Sequence, residues 1–297
     1  MSITERLKNP PEGSFREIFK YKDLLVQLVT RDIKLKYRRS FLGYVWSILN
    51  PLLIMIIMAL VFSFLFRRSI AYFPIYLLAG RSMFEFVNTA ASKALGSITD
   101  NTSLLKKTYI SKFMFPMSKI TATMVDFVFS LGALVLVMAF FSIIDGRVLF
   151  SLWNFGAVLV IVEGYVFAMG LGFLLAQLHV FFRDIRYVYN AFSTMWLYCS
   201  ALFYDLGMFY ENGQAAQEAG KFPLAKYLAI LIEYGNPLYI YIKQFRYFLW
   251  APTLDEIPYW GQVTGWDFLL GFVYAILMFA IGSFFFRKNQ DKFILYI

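Results

Sequence analysis

The sequence predicts an all-α membrane protein with six transmembrane helices, an N-terminal amphipathic interface helix before them, and short re-entrant helices between spans five and six. Three observations predict it. Hydrophobic residues fill 60% of the 297 positions, aromatics 20% and charged residues only 16%, so a water-soluble fold would have to expose large apolar patches. Val45 to Phe66 carries no Asp, Glu, Lys, Arg or His over 22 positions, which at about 1.5 Å per helical residue covers a hydrocarbon core of roughly 30 Å. Lys and Arg gather beside apolar runs, so the net charge of +9 reads as attraction to anionic lipid headgroups and not as a nucleic-acid face.

Residues 1–44 form a cytoplasmic N-terminal region and 45–297 the transmembrane domain. Between Tyr21 and Ser40, Leu25, Leu28, Val29 and Ile33 recur at roughly helical spacing among Arg31, Lys34, Tyr37, Arg38 and Arg39, the pattern of a helix lying in the inner interface. An ordinary polar tail is the alternative. The first forty residues lack an apolar core followed by small residues, so no cleaved signal peptide is expected. Trp46 suits an interfacial anchor at the start of the first span, and Pro51 is expected to bend it. The later spans fall at about 70–92, 120–144, 152–182, 187–204 and 266–286, each long and apolar enough to cross a bilayer. With both termini inside, 20 of the 28 basic residues lie on the inner side, as the positive-inside rule favours. Between the fifth and sixth spans, the apolar pieces 222–232 and 236–250 are each too short to cross. Separated by Gly235-Asn236-Pro237, they fit a re-entrant hairpin, or else an outer loop resting on headgroups.

The chemistry is as informative in what it lacks. No Gly-x-x-x-x-Gly-Lys-Ser/Thr run occurs, so the chain is not expected to bind and hydrolyse ATP itself. The single histidine, His179, and the single cysteine, Cys199, supply neither a metal cluster nor a nucleophile and base, so no catalytic residue, metal or cofactor is expected in this chain. Gly170-Leu-Gly172 reads as helix packing. Four ionisable residues fall inside spans: Arg81, Glu85, Asp126 and Glu163. Each costs at least about 2.5 to 3.5 kcal/mol there. Arg81 and Glu85 are four apart and able to neutralise each other, whereas Asp126 and Glu163 have no local partner in sequence. The inner segment 101–116 joins Lys106, Lys107 and Lys112 to bulky apolar residues, as a docking helix for a soluble partner or a basic loop on anionic lipid.

Arg31 to Pro51, Leu104 to Pro116, Phe182-Arg183-Asp184-Ile185 and Asn236-Pro237, in this order along six spans, carry a resemblance. The chain resembles the membrane (permease) subunit of type 2 ABC exporters for polysaccharides, the O-antigen, capsule and teichoic-acid permeases. The resemblance implies two copies of this chain with two copies of a separate nucleotide-binding subunit that holds ATP and Mg. The substrate would be a lipid-linked polysaccharide leaving the cytoplasm across the inner or plasma membrane. A coupling helix would contain Leu104, Leu105, Lys106, Lys107, Tyr109, Lys112 and Phe113, with the interface helix also touching the nucleotide-binding subunit and the re-entrant helices acting as a gate. Aromatic side chains would line the channel, with Phe62, Phe64, Trp196, Tyr198, Phe203 and Tyr204 as candidates that lipid contact or bundle packing would equally explain. A proton-coupled secondary carrier using Asp126 or Glu163 is the alternative function, although no repeated halves are visible. A membrane-embedded transferase would need an acid, base or metal constellation that the sequence does not offer.

Overall fold

The structure is a computed structural model that describes residues 21–38, 40–66, 70–107 and 111–296. All regular structure among them is helical. Four stretches are long and apolar enough to cross a membrane: Gly43–Val61, Met114–Ile144, Leu152–Phe181 and Tyr259–Lys292. In chain order the α-helices are α1 (Lys22–Tyr37), α2 (Trp46–Phe66), α3 (Phe73–Leu95), α4 (Thr102–Lys107), α5 (Met114–Ile144), α6 (Ala157–Phe181), α7 (Ile185–Tyr198), α8 (Gly207–Glu218), α9 (Leu224–Gly235), α10 (Pro237–Leu249), α11 (Gly265–Asn289) and α12 (Phe293–Tyr296).

α3 is the axis of the bundle. It packs on α2, α5, α6 and α10, and Ile75, Leu78, Met83, Phe86, Val87, Ala90 and Ala94 are all buried along it. Its 23 residues reach about 35 Å, but Arg81, Glu85 and Lys93 make it less apolar than α2, α5 and α6. α6 and α11 form the closest helix pair. A Cβ at Gly170 would overlap the Met278 carbonyl, and one at Gly282 would overlap the Gly170 carbonyl. Glycine there lets the two backbones touch, the small-residue packing that replaces a hydrophobic driving force between helices in lipid.

Two ends of the bundle can be told apart by their contacts. At one end α1, residues 99–107 and 111–113, and the C-terminal helix meet: Arg31 donates to Asn101 at 3.5 Å, Lys112 to the Gln290 carbonyl at 2.8 Å, and Phe181 packs on Phe293 and Tyr296. At the other end Tyr72 donates to Asp145 at 2.6 Å, Arg147 pairs with Asp255 at 2.8 Å, and Asn154 donates to the Phe248 carbonyl at 2.7 Å. The described N- and C-terminal helices therefore share one end.

α7 differs from the span expected over 187–204. It stops at Tyr198 after 14 residues, about 21 Å, too short to cross alone. The reason lies in what accepts the freed backbone. The Cys199 carbonyl takes a hydrogen bond from Asn236 Nδ2 at 2.8 Å, and the Ala201 and Leu202 carbonyls take bonds from Arg246 at 3.0 and 3.1 Å. Ala201 itself has φ +46°, a left-handed conformation that is costly for a residue with a Cβ. Side chains from far along the chain thus over-determine a turn that local sequence would have continued as helix.

Substituting Gly170→Ala is expected to force α6 and α11 apart and to cost on the order of 1–3 kcal/mol, read as a lower thermal midpoint in detergent. Gly265→Ala, where an added Cβ meets nothing within 4 Å, should leave that midpoint unchanged.

Candidate functional site

Polar residues on α3 recur at Arg81, Glu85, Asn88, Thr89 and Lys93, spacings of about one helical turn that place them on one face. None of the five is fully buried. Arg81 and Glu85 form the ion pair that their spacing allows. Asn88 Oδ1 accepts from the Tyr189 hydroxyl at 3.0 Å, which ties the face to α7.

Asp126, which has no local partner in sequence, finds two on other helices. Lys36 on α1 approaches it at 2.9 Å and Lys93 on α3 at 3.4 Å. One turn back along α1, Asp32 pairs with Lys119 at 2.9 Å and with its neighbour Arg31 at 3.2 Å. The interface helix is therefore fastened by charge to α5 at two levels. Beside this seam lies a cavity of about 420 Å³ between α1, α2, α3 and α5, with Lys36, Glu85, Lys93 and Asp126 on its wall. Glu163, the fourth intramembrane charge, is buried on α6, and its Oε2 has no hydrogen-bond partner among the described residues. It lies against Gly271 and Gln244, away from the Asp126 seam.

At the opposite end, α10 inserts two cations into the bundle. Arg246 is 4% exposed and donates to the carbonyls of Tyr76, Ala201 and Leu202 at 3.0 to 3.1 Å, with its guanidinium 3.5 Å from the Tyr76 ring centroid. Lys243, one turn earlier, meets Glu233 at 2.8 Å and Asp267 at 3.2 Å. Burial alone would lower the Lys243 pKa, but the bonds and attraction from Glu233 and Asp267 outweigh it and hold the ammonium above its ordinary value. Tyr210 on α8 donates to Glu233, and burial followed by that carboxylate pushes its hydroxyl pKa up. Asn236 caps α10 by accepting from the backbone N–H groups of Leu238 and Tyr239, while its amide reaches back to α7. Sequence reasoning singled out Asn236-Pro237 but missed Lys243, Arg246, Glu233 and Asp267. The available signal was two cations three residues apart in an otherwise apolar helix.

The residues expected to dock a partner separate into two groups. Leu104 and Lys106 are at least partly exposed on α4, whereas Leu105 is buried. Phe113 faces inward, edge-on to Phe173 at 5.1 Å and against Phe286 at 4.5 Å, and Lys112 is engaged by Gln290. Of the described residues expected to dock, Leu104 and Lys106 thus reach the surface, and Phe113 packs into the core. On α1, Arg31, Lys34 and Arg38 are exposed. Tyr109 and Arg39 lie outside the described residues, as do the side chains of Tyr37, Phe62, Phe64 and Lys107.

Among the channel candidates, Trp196 is buried and donates Nε1–H to Asn236 Oδ1 at 2.7 Å, so it fixes the α7 to α10 junction. Phe203 packs partly against the core. The Tyr204 hydroxyl donates to the Tyr198 carbonyl at 2.8 Å, and its own carbonyl accepts from Tyr76 at 2.9 Å. Tyr198 is exposed, on the face of α7 that also carries Tyr187, Asn190 and Thr194. Among the described residues no group of three His, Cys, Asp or Glu side chains converges as a metal site.

No family model matches the chain. An O-antigen export system permease protein RfbA of Myxococcus xanthus is 29% identical over 227 residues, 75% of this chain and 85% of that protein. One of Klebsiella pneumoniae is 27% identical over 64% of this chain and 72% of its own length. A capsule polysaccharide export inner-membrane protein CtrC of Neisseria meningitidis is 25% identical over 62% and 68%. The chain is homologous to permeases of type 2 ABC polysaccharide exporters. Those relatives are export permeases by name. In this permease homologue Asp32, Asp126 and Lys243 fasten helices together through ion pairs, and Lys36, Glu85, Lys93 and Asp126 line a polar cavity.

Arg246→Lys keeps the charge of the permease homologue but cannot span three carbonyls with a planar fork. Each buried carbonyl left unsatisfied costs on the order of 1–3 kcal/mol, so this substitution should lower the unfolding midpoint nearly as far as Arg246→Met. A lysine variant as stable as the parent would show that the positive charge suffices.

Proposed function

We propose that this chain is the permease subunit of an ATP-driven exporter that moves a lipid-linked polysaccharide, of the O-antigen, capsule or teichoic-acid type, from the cytoplasm across the inner or plasma membrane. The observation that carries the reading is the similarity to an O-antigen export permease across 85% of that relative's length. Two copies of the chain join two copies of a separate nucleotide-binding subunit, which holds ATP and Mg and performs hydrolysis. Six passages through the bilayer are made by α2, α3, α5, α6, α7 with its following turn, and α11, while α9 and α10 re-enter from the outer side as a gate. Both termini are cytoplasmic. The reading is supported by the shared end of α1 and the C-terminal helix, and by the excess of Lys and Arg on that side.

Mechanistically, the partner docks on α4 and α1, and its closure on ATP moves these elements as a unit. The ion pairs from Asp32 and Lys36 to Lys119 and Asp126 transmit that movement to α5, and Lys93 transmits it to α3. The exposed face of α7, with Tyr187, Asn190, Thr194 and Tyr198, lines the path between the two copies. Hydroxyls and amides there exchange hydrogen bonds with sugar hydroxyls, and tyrosine rings stack on sugar faces. A proton-driven carrier would need no second subunit.

Co-expression with a candidate ATP-binding subunit of an ABC exporter should yield a stable complex with ATPase activity. Lys106→Glu is expected to weaken that association roughly tenfold, about 1.4 kcal/mol, without changing the amount of chain inserted in the membrane. Undiminished association would remove α4 from the docking surface.

A further inference from the structure

We infer that the cavity between α1, α2, α3 and α5 is a saccharide-binding subsite, within a single copy of the chain, for one or two uncharged sugar units near the cytoplasmic mouth. The inference rests on the exporter reading and adds to it a location and a ligand chemistry.

Size sets the first bound. The cavity holds about 420 Å³, within the roughly 300–1,000 Å³ of small-molecule sites and far below what a folded polymer needs. Charge sets the second. Its wall carries two cations, Lys36 and Lys93, and two acids, Glu85 and Asp126. With Asp126 bridging both lysines and Glu85 paired with Arg81, every charge on the wall is already engaged, so a phosphate or carboxylate would have to displace one of these pairs. Anionic headgroups would find a better place among Arg31, Lys34 and Arg38, which line a separate groove along α1.

Polar chemistry sets the third. Between the charges the wall presents the amide of Asn50 and the hydroxyl-bearing Ser82, Thr89, Thr123 and Ser130. The Thr123 and Ser130 hydroxyls already donate to the Lys119 and Phe127 carbonyls at 2.8 and 2.7 Å and so offer lone pairs, while the Asn50 amide both donates and accepts; together they match the hydroxyls of a sugar ring better than an acyl chain or a purely acceptor anion. Trp46 contributes an indole that is 44% exposed, positioned on the wall to stack on the apolar face of a pyranose while its neighbours bond to the ring's edge. Because α1 forms one side of the cavity, a sugar held there bridges the charge-fastened interface helix to the first three long helices. Binding is thereby coupled to the same seam that ATP-driven movement would shift.

The test uses the full chain with its co-expressed ATP-binding subunit in lipid nanodiscs, probed by saturation-transfer NMR with the methyl glycosides of glucose, mannose, galactose and N-acetylglucosamine, and with inorganic phosphate as competitor. Saturation transfer to at least one glycoside, unaffected by phosphate, is expected. Asn50→Ala, at an exposed position, should weaken it roughly tenfold, and Thr123→Trp, which fills the cavity, should abolish it. If Thr123→Trp fails to fold, Asn50→Ala and Glu85→Gln decide the matter. No transfer to any glycoside, displacement by phosphate, or transfer unchanged by these substitutions would each overturn the subsite. Polymer export by the same complex in cells is measured alongside. Export without glycoside contact overturns the subsite alone, whereas no export and no association with an ATP-binding subunit overturns the exporter reading as well.

Discussion

A cation inside an apolar bundle must be fully hydrogen-bonded, and so must any backbone that leaves helical geometry there. In this chain the two demands answer each other. The break after Tyr198 frees carbonyls at 199, 201 and 202, and the buried Arg246 and Asn236 supply the donors. Arg246 needs no carboxylate because three carbonyl oxygens and the Tyr76 ring face it. Placement of α10 against α3, the end of α7 and the turn into α8 all follow from that arrangement. Gly80 on α3 follows from it too, since a Cβ there would collide with the guanidinium.

The same rule, applied at the other end, produces a different result. Asp126 is satisfied by lysines from α1 and α3 in a setting that remains partly open, with Lys36 and Lys93 45% and 38% exposed and Asp126 15%. Solvent weakens such pairs, so they can be exchanged during a conformational cycle more easily than the Arg246 arrangement. One end of the bundle is locked by a buried network and the other is fastened by exchangeable charges.

How much of this was legible in sequence depended on whether the deciding partner was local. The first span, expected at 45–66, is helical over Trp46–Phe66, and the last, expected at 266–286, lies within Gly265–Asn289, because an uninterrupted apolar run needs no distant information. Arg81 with Glu85 was readable from i, i+4 spacing. Asp126 was not, since its partners lie 90 and 33 residues away. The end of α7 was hidden for the same reason: local residues favour helix, and side chains 37 to 45 positions later stop it. Phe113 looked like part of a docking surface by composition, yet the α6 and α11 aromatics claim it for the core.

Transport by the purified complex in proteoliposomes, with lipid-linked polymer supplied on the side of α1, tests these conclusions together. Polymer should appear in the lumen when ATP is added and should stop when the ATP-binding subunit is omitted, with an imposed proton gradient making no difference. Movement driven by the proton gradient in the absence of that subunit would contradict the exporter reading and return Asp126 and Glu163 to consideration as proton carriers.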